Sequence, residues 1–381
     1  MKKKLFTSLG LMSGTSMDGV DLSLIQSDGD SEFTHILNNY FEFDTDLQKS
    51  LINLRNKLFT SKDIEKHSEE LVKVERLFTL FNSKIVEKTL KNYKGQIDLI
   101  GFHGQTVFHD PDNKISLQLG DGDLLSQITK KIVINNFRKE DLINGGQGAP
   151  LTPVFHKLLS KILNKKYNIK FPLNIINIGG ITNLTQIENN DDLTKFNFNA
   201  YDIGPGNCLI DDWVKKNSKK NFDNNGEIAK SGKVNKLILN QVIDNFSIKT
   251  FNKSLDIKDF DLSFVKGLTF EDGCATLTKF SAYLIAKGID HINNLNNSFP
   301  VKNLICGGGR KNSFLIDTIS DYLKQKTELI NINEYELDGD FIESQAFAYL
   351  SIRTFLELPI SFPNTTRCNN PTVGGTLNKN F

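Results

Sequence analysis

Small and polar residues are concentrated in one segment near the start of the chain, from position 13 to position 21. A strand that ends in such residues leaves backbone N–H groups free to bind an anion, and glycine lets a phosphate approach closely. Asp18 and Asp21 add carboxylates that can hold Mg²⁺ directly or through water. A tight hairpin turn would use the same residue types, so both interpretations stay open. The candidates for phosphate binding are Ser13, Gly14, Thr15, Ser16, Met17, Asp18, Gly19 and Val20.

Two glycine-rich turns in the second half follow strand-like segments in the same way. The first contains Gly179 and Gly180, and it occupies the place that the 13–21 segment occupies in the first half. Two such turns could hold the same phosphates from both sides. The second turn has three glycines that cost conformational entropy, which close approach by adenine or ribose would explain. A plain helix start is the alternative for this turn, formed by Gly307, Gly308 and Gly309.

Asp202 is the candidate catalytic residue. It lies just before the turn Gly204-Pro205-Gly206, at the end of a strand-like segment. A carboxylate in that position can take a proton from a reacting group. It can also form an Asx turn or cap the following helix.

The remaining polar candidates would contact a substrate. His103 and Gln105 follow an apolar strand-like run and would offer a ring nitrogen and an amide to hydroxyl groups. Arg138 could orient a carboxylate through two hydrogen bonds, but with Asp141 it could equally form a surface ion pair. Glu343, at the start of the last helix, would reach the substrate or complement the helix dipole.

The elements that must position these residues alternate between strands and helices in both halves of the chain. Apolar and β-branched runs predict strands at 5–11, 20–26, 34–41, 97–102, 115–119, 131–135, 173–178, 182–187, 195–202 and 303–306. Apolar residues spaced three and four apart predict helices at 46–57, 62–91, 154–164, 208–215, within 226–246, at 274–293 and 343–358. The two halves repeat one order of elements. This order predicts two duplicated α/β domains, with mixed sheets covered by helices, that face each other across a cleft.

The composition excludes several classes of protein. The net charge is +1, from 46 Lys and Arg against 45 Asp and Glu. The chain therefore lacks the basic excess that is typical of a nucleic-acid binder. No stretch approaches the ~20 apolar residues of a membrane helix. The four cysteines are far apart, which favours a reduced compartment.

Lysines and a short apolar run at the start imitate a signal peptide, but an opening strand explains them better. We expect a cytoplasmic protein that binds neither nucleic acid nor membrane; a homodimer stays open.

Seven segments together resemble the anhydro-N-acetylmuramic acid kinase family. They occur in the family's order, cover nearly the whole chain, and lie at 10–21, 102–106, 118–122, 145–150, 177–180, 202–207 and 307–309. The resemblance implies the duplicated ribonuclease-H-like fold of actin, hexokinase and the 70-kDa heat-shock proteins. We divide the chain into an N-terminal lobe, 1–140, and a C-terminal lobe, 141–381, whose tail would return to the first lobe.

The resemblance also implies a reaction. ATP, with Mg²⁺, and water would convert 1,6-anhydro-N-acetylmuramic acid into N-acetylmuramic acid 6-phosphate. Asp202 would take a proton from the water that attacks the anomeric carbon, and the segment from Ser13 to Asp21 would hold the phosphates and metal. His103, Arg138 and Glu343 would contact the sugar.

Two other functions stay open on the sequence alone. A conventional sugar kinase would use Asp202 to deprotonate a sugar hydroxyl instead of water. A nucleotide-gated binding protein of the same fold would need a partner-binding segment, and the sequence shows no obvious one.

Overall fold

The computed structural model describes residues 4–188, 198–246, 251, 253–295, 302–324 and 327–381. The chain forms two compact units, Met1–Leu158 with Phe341–Phe381, and Leu159–Asp340. The predicted boundary at 140 differs from this division, because residues 141–158 lie with the first unit. A glycine-rich stretch at 145–150 suggested a crossing between domains. Its local composition could not show that it folds back onto the first unit.

The first unit contains a mixed sheet in the order β12-β6-β4-β1-β2-β3, with β5 paired to β4. Its strands are β1 (Phe6–Ser13), β2 (Gly19–Ser27), β3 (Phe33–Glu42), β4 (Leu99–Asp110), β5 (Ile115–Leu119), β6 (Ile132–Asn135) and β12 (Thr376–Asn378). Its helices are α1 (Thr45–Arg55), α2 (Ser61–Lys66), α3 (Ser68–Asn92), α4 (Gly122–Thr129), α5 (Lys139–Ile143), α12 (Ile342–Phe355) and α13 (Pro363–Thr366). Helix α6 (Pro153–Tyr167) crosses the boundary along the chain.

The second unit contains a smaller mixed sheet in the order β11-β10-β7-β8-β9. Its strands are β7 (Leu173–Ile178), β8 (Ile181–Ile187), β9 (Phe198–Pro205), β10 (Lys302–Cys306) and β11 (Leu329–Asn331). Its helices are α7 (Cys208–Asn217), α8 (Glu227–Ser231), α9 (Lys236–Asn245), α10 (Phe270–Leu295) and α11 (Ser313–Tyr322). The predicted strand at 195–202 lies partly outside the described residues.

The two sheets share one topology, which confirms the predicted duplicated α/β fold. In each, three strands form an antiparallel meander, β1-β2-β3 in one and β7-β8-β9 in the other. A later strand then joins parallel to the first, β4 beside β1 and β10 beside β7. A further parallel strand follows outside it, β6 and β11 respectively. The turns after β1 and β7 therefore occupy equivalent places in the two units.

Glycines on the first sheet let the C-terminal helix α12 approach the strands closely. Gly10 and Gly101 are paired neighbours on β1 and β4. A side chain on Gly10 would overlap the Ser344 carbonyl oxygen of α12, and one on Gly101 would overlap that of Phe347. The hydroxyls of Ser23 and Ser344 lie 2.7 Å apart across the same contact. This packing places Glu343, in the first turn of α12, beside the sheet of the first unit.

Local signals explain where the elements begin. Asp44 accepts the backbone N–H of Leu47 at 2.8 Å and so caps α1, and such caps satisfy N–H groups that have no partner within the helix. The predicted helix at 62–91 is two helices, because α2 ends and α3 begins at His67. Among the described residues, no helix combines the length and the apolar character needed to cross a bilayer.

Candidate active site

The turn between β1 and β2 is partly core and partly exposed. Met17 has a positive φ of 53°, and its side chain is buried with that of Val20 in the core of the first unit. A side chain on Gly19 would overlap the carbonyl oxygen of Phe41. Gly14 is different, because a Cβ there would find its nearest neighbour 3.9 Å away. Met17 and Val20 can therefore contribute backbone groups only, whereas the space over Gly14 is open.

Gln105 holds this turn from β4. Its side-chain amide donates to the carbonyl of Gly14 at 3.0 Å, and its Oε1 lies 2.6 Å from the hydroxyl of Ser13. The Ser13 hydroxyl also lies 2.9 Å from the carbonyl of Gly19 and can donate to one of these acceptors at a time. Gln105 is buried. It was predicted to follow the strand, but it lies within β4. Its contacts are those of a residue that positions the turn.

The two carboxylates of the turn differ in their surroundings. Asp18 is exposed and accepts the hydroxyl of Ser16 at 2.7 Å, whereas Asp21 lies in β2 opposite Tyr40. Partial burial, together with the carboxylates of Asp18, Asp21 and Glu42, raises the pKa of the Tyr40 phenol. The local potential is therefore negative, which attracts cations. No group of three Asp, Glu, His or Cys side chains that could hold a metal is found among the described residues.

Buried His103 pairs with the partly buried Arg138 in the first unit. His103 Nδ1 lies 2.8 Å from the carbonyl of Gly104, and its Nε2 lies 2.9 Å from Arg138 Nη2. Burial, and next the guanidinium of Arg138, lower the pKa of His103 well below its ordinary value. The ring is therefore neutral, with Nδ1 donating to Gly104 and Nε2 accepting from Arg138. Arg138 also donates through Nη1 to the carbonyl of Gly148 at 2.8 Å.

Asp141 holds the glycine-rich loop that follows α5. Its carboxylate accepts the backbone N–H of Gly148 at 2.7 Å and the hydroxyl of Thr366 at 2.6 Å. Only 1% of its surface is exposed. Gln147 donates its backbone N–H to the carbonyl of Thr366 at 2.7 Å, which ties the loop to α13. These contacts make Asp141 a structural residue of the loop and leave Arg138 and Glu343 as the charged candidates for substrate.

In the second unit, the Gly179-Gly180 turn is held by the backbone that precedes α7. The N–H groups of Gly206 and Asn207 donate to the carbonyls of Gly180 and Gly179, at 2.9 and 2.8 Å. A side chain on Gly206 would overlap the Gly179 carbonyl oxygen. A Cβ on Gly179, by contrast, would meet nothing closer than 3.5 Å. Gly179 is thus open, like Gly14 at the equivalent place in the first unit.

Three glycines follow β10, and backbone conformation or packing explains why two of them are glycine. Gly307 has a φ of 78°, and Gly309 packs so closely on Ile178 that a side chain would overlap it. Gly308 is exposed, and a Cβ there would lie 4.0 Å from its nearest neighbour. The protein's own packing therefore needs Gly307 and Gly309 to be glycine, but not Gly308.

Asp202 lies within β9, three residues before that strand ends, whereas the sequence had placed it at a strand end. Its Oδ2 accepts the backbone N–H of Leu255 at 2.9 Å. Asn183 faces it across the β8–β9 ladder, next to a shift in register after Thr182. Both the Asn183 Oδ1 atom and the Thr182 hydroxyl are buried without a hydrogen-bond partner within the described part of the chain.

The fold brings to these turns two residues that the sequence did not predict there, Arg55 and Asn183. Arg55 of α1 donates from Nη1 to the carbonyl of Thr15 at 2.9 Å, which places a cation at the first turn. Asn183 lies beside Asp202, and its presence in the glycine-rich segment was the only local signal. No local signal marks Arg55, which is 40 residues distant in sequence from Thr15.

The family model and the relatives that match this chain all carry the same family name. The family model described as anhydro-N-acetylmuramic acid kinase matches residues 6–380. A relative of that name from Pelagibacter ubique is 49% identical over 383 residues, and the alignment covers 100% of both chains. A relative of the same name from Agrobacterium fabrum is 36% identical, with 97% of this chain and 98% of the relative covered. A third from Zymomonas mobilis is also 36% identical, with 97% and 99% covered.

Proposed function

We propose that this chain, which belongs to the anhydro-N-acetylmuramic acid kinase family, uses ATP and water to open 1,6-anhydro-N-acetylmuramic acid and phosphorylate it. The product is N-acetylmuramic acid 6-phosphate. Family membership makes the chain an enzyme of the kinase class, and a kinase transfers a phosphoryl group from a nucleotide to an acceptor. The substrate is the one in the names of its relatives.

One structural observation supports the nucleotide part of this proposal. A Cβ on Gly14, Gly179 or Gly308 would fit without overlap, with no atom closer than 3.5 Å, and none of the three has a positive φ. Neither packing nor backbone conformation therefore calls for glycine there. Close approach of a ligand to the backbone explains all three positions, and phosphate is the ligand that backbone N–H groups in such turns favour.

The first turn also fits a magnesium ion. Asp18 offers an exposed carboxylate, and Asp21 lies close enough to contribute to the same negative potential at Tyr40. Mg²⁺ in kinase sites is bound by one or two carboxylates together with phosphates and water, without a full protein cage. We assign Asp18 and Asp21 to this ion, which when bound neutralises charge on the phosphates. Arg55, which donates to the carbonyl of Thr15, would add a cation at the same turn.

Asp202 is the proposed general base. Its carboxylate takes a proton from water as the water oxygen attacks the anomeric carbon, and the bond from that carbon to the bridging oxygen breaks. The bridging oxygen, now O6, attacks the γ-phosphorus, and ADP leaves. The proton on Asp202 then returns to solvent, so that one water and one phosphoryl group are added. The backbone N–H of Leu255 orients the carboxylate.

Arg138 and Glu343 are the proposed contacts to the sugar. Arg138 is held by His103 and the Gly148 carbonyl through different nitrogens, and a guanidinium is the group that suits the lactyl carboxylate of a muramic acid. His103, being neutral, fixes the guanidinium without repelling it. Glu343 is half-buried beside the sheet. Because Gln105 and Asp141 are engaged by protein groups, we assign them to positioning.

We place the reaction in the cytoplasm, where ATP is available. The four cysteines are free and buried, which agrees with a compartment that keeps thiols reduced. A homodimer remains a proposal, and sedimentation analysis would test it.

The test is an acceptor comparison. The protein is given ATP, Mg²⁺ and either 1,6-anhydro-N-acetylmuramic acid or plain N-acetylhexosamines, in water enriched in ¹⁸O. We expect phosphorylated product from the anhydro sugar, with one labelled oxygen at the anomeric carbon. Product incubated afterwards in labelled water controls for exchange. Phosphorylation of the plain sugars alone would refute the proposal and favour a conventional sugar kinase.

A further inference from the structure

A cavity of about 370 Å³ lies in the first unit, at the edge of the sheet where the parallel strands begin. Phe6, Leu99 and Ile132 line it, and they stand at the start of β1, β4 and β6. These three strands run parallel, so their carboxyl ends lie at the opposite edge. Ser13, which begins the phosphate turn, is the last residue of β1. The cavity is therefore separate from the candidate active site.

The charge of the cavity comes mainly from four lysines that line it, Lys4, Lys130, Lys131 and Lys379. The Lys4 ammonium lies 4.8 Å from the centre of the Phe6 ring, and the Lys379 ammonium lies 5.9 Å from that of Phe381. Lys131 donates to a backbone carbonyl, that of Ile97, at 2.9 Å. The groups that contact Lys4, Lys379 and Lys131 here are two aromatic rings and a neutral carbonyl.

A single acidic residue, Asp98, lines the same cavity, and its oxygens accept hydrogen bonds. Oδ2 accepts the backbone N–H of Thr7 at 2.8 Å, and Oδ1 accepts the side-chain amide of Gln96, also at 2.8 Å. The carboxylate thus joins the starts of β1 and β4. Its four lysines outnumber this one acidic side chain, so the side chains that line the cavity carry a net positive charge.

Aromatic rings supply part of the apolar lining, together with aliphatic side chains. Phe6 and Phe355 meet edge to face, with ring centres 5.5 Å apart. Phe381 is 54% exposed at the rim, although such rings are normally buried. A ring stacked on these side chains would remove apolar surface from water.

The tail that carries two of the lining residues is anchored. β12 pairs antiparallel with β6, and beyond it the backbone N–H of Asn380 donates to the hydroxyl of Ser126 at 3.0 Å. Lys379 is therefore held by contacts on either side of it, and Phe381 follows directly after the second of them.

We propose that this cavity binds a small organic phosphate in which the phosphate adjoins an aromatic ring. Lysine binds phosphate as a point charge, the rings accept the aromatic part, and the volume falls within the range of small-molecule sites, about 300–1,000 Å³. This site is additional to the active site, and the proposal does not depend on the proposed kinase reaction.

The test uses phenyl phosphate as the probe, titrated by calorimetry into the full chain in the presence of saturating ADP. Inorganic phosphate and phenol are titrated in parallel. We expect phenyl phosphate to bind at least tenfold more tightly than either, because it alone presents both groups. Equal affinity for phenyl phosphate and inorganic phosphate would overturn the proposal.

Variants locate the binding. Lys4→Glu with Lys379→Glu should weaken phenyl phosphate at least tenfold, whereas the same charge change at Lys73 and Lys84, both exposed on α3, should have little effect. Phe381→Ala should weaken phenyl phosphate about threefold and leave inorganic phosphate unchanged. Turnover should stay at the wild-type rate in all three variants. Unchanged binding in the Lys4 and Lys379 variant, or an equal loss in the α3 control, would refute the assignment.

Discussion

Replacing Gly14 with alanine tests whether the turn after β1 binds phosphate. The new Cβ would lie 3.9 Å from its nearest neighbour, the Ser16 hydroxyl, and Gly14 is not among the residues with positive φ. The folded chain can therefore accept alanine without strain. Because alanine has fewer conformations in the unfolded chain, we expect stability to stay constant or to rise by about 0.4–1 kcal/mol.

Nucleotide affinity should respond in the opposite direction. A methyl group over the turn would occupy the space through which a phosphate oxygen reaches the backbone N–H groups. Losing one hydrogen bond to a charged group costs about 1.5–3 kcal/mol. Since about 1.4 kcal/mol corresponds to a tenfold change, we expect Gly14→Ala to weaken ATP binding roughly 10- to 100-fold.

The matched control is Gly19→Ala, in the same turn. Its Cβ would overlap the carbonyl oxygen of Phe41 and lie 2.6 Å from the Tyr40 hydroxyl, so we expect a loss of stability of about 1–3 kcal/mol from overpacking. Calorimetric titration with a non-hydrolysable ATP analogue measures the change in affinity, and urea unfolding measures the change in stability. Wild-type affinity in Gly14→Ala would refute the phosphate assignment, however the control behaves.

Three further substitutions address catalysis, positioning and pH. Asp202→Asn should lower kcat by about 10²–10⁴ with little change in nucleotide affinity, and near-normal single turnover would contradict the base assignment. Gln105→Leu removes both side-chain bonds to the turn and should raise KM for ATP several-fold; an unchanged KM would argue against positioning. Burial lowers the pKa of His156 from 6.5 to about 3, so between these values the unfolded chain binds more protons. Stability should fall as pH falls from 6.5, by about 1.4 kcal/mol per unit. The free energy of unfolding, measured with urea at pH 7, 6 and 5, should therefore depend less on pH in His156→Gln than in the wild type. The same pH dependence in both proteins would contradict this prediction.

Local patterns were sufficient to predict the first strand of each meander. The predicted strand at 173–178 agrees with β7, and the strand predicted at 5–11 corresponds to β1, Phe6–Ser13. Runs of apolar and β-branched residues bounded by glycine are a local signal for strands. The same signal, repeated in both halves, predicted the duplication that the sheet topology confirms.

Pairing between distant segments decided what local patterns missed. β4 continues through His103 and Gln105 to Asp110 because it pairs with β5 along that extension. β9 similarly continues past Asp202 because it pairs with β8 up to Pro205. The tail looked irregular, but β12 joins the first sheet through β6. A polar strand segment shows no apolar run, and only its partner strand stabilises it.

The sequence by itself determined the family, the order of the elements and the turns that carry small residues. It did not determine which glycines are available to a ligand. Gly14 shares one turn with Gly19, Gly308 directly precedes Gly309, and all four residues are chemically identical. The tertiary structure distinguishes them, because Phe41 lies against Gly19 and Ile178 against Gly309, while the space over Gly14 and Gly308 is open. Whether a missing side chain leaves room for a ligand depends on atoms brought close by the fold, and these come from residues far away in the chain.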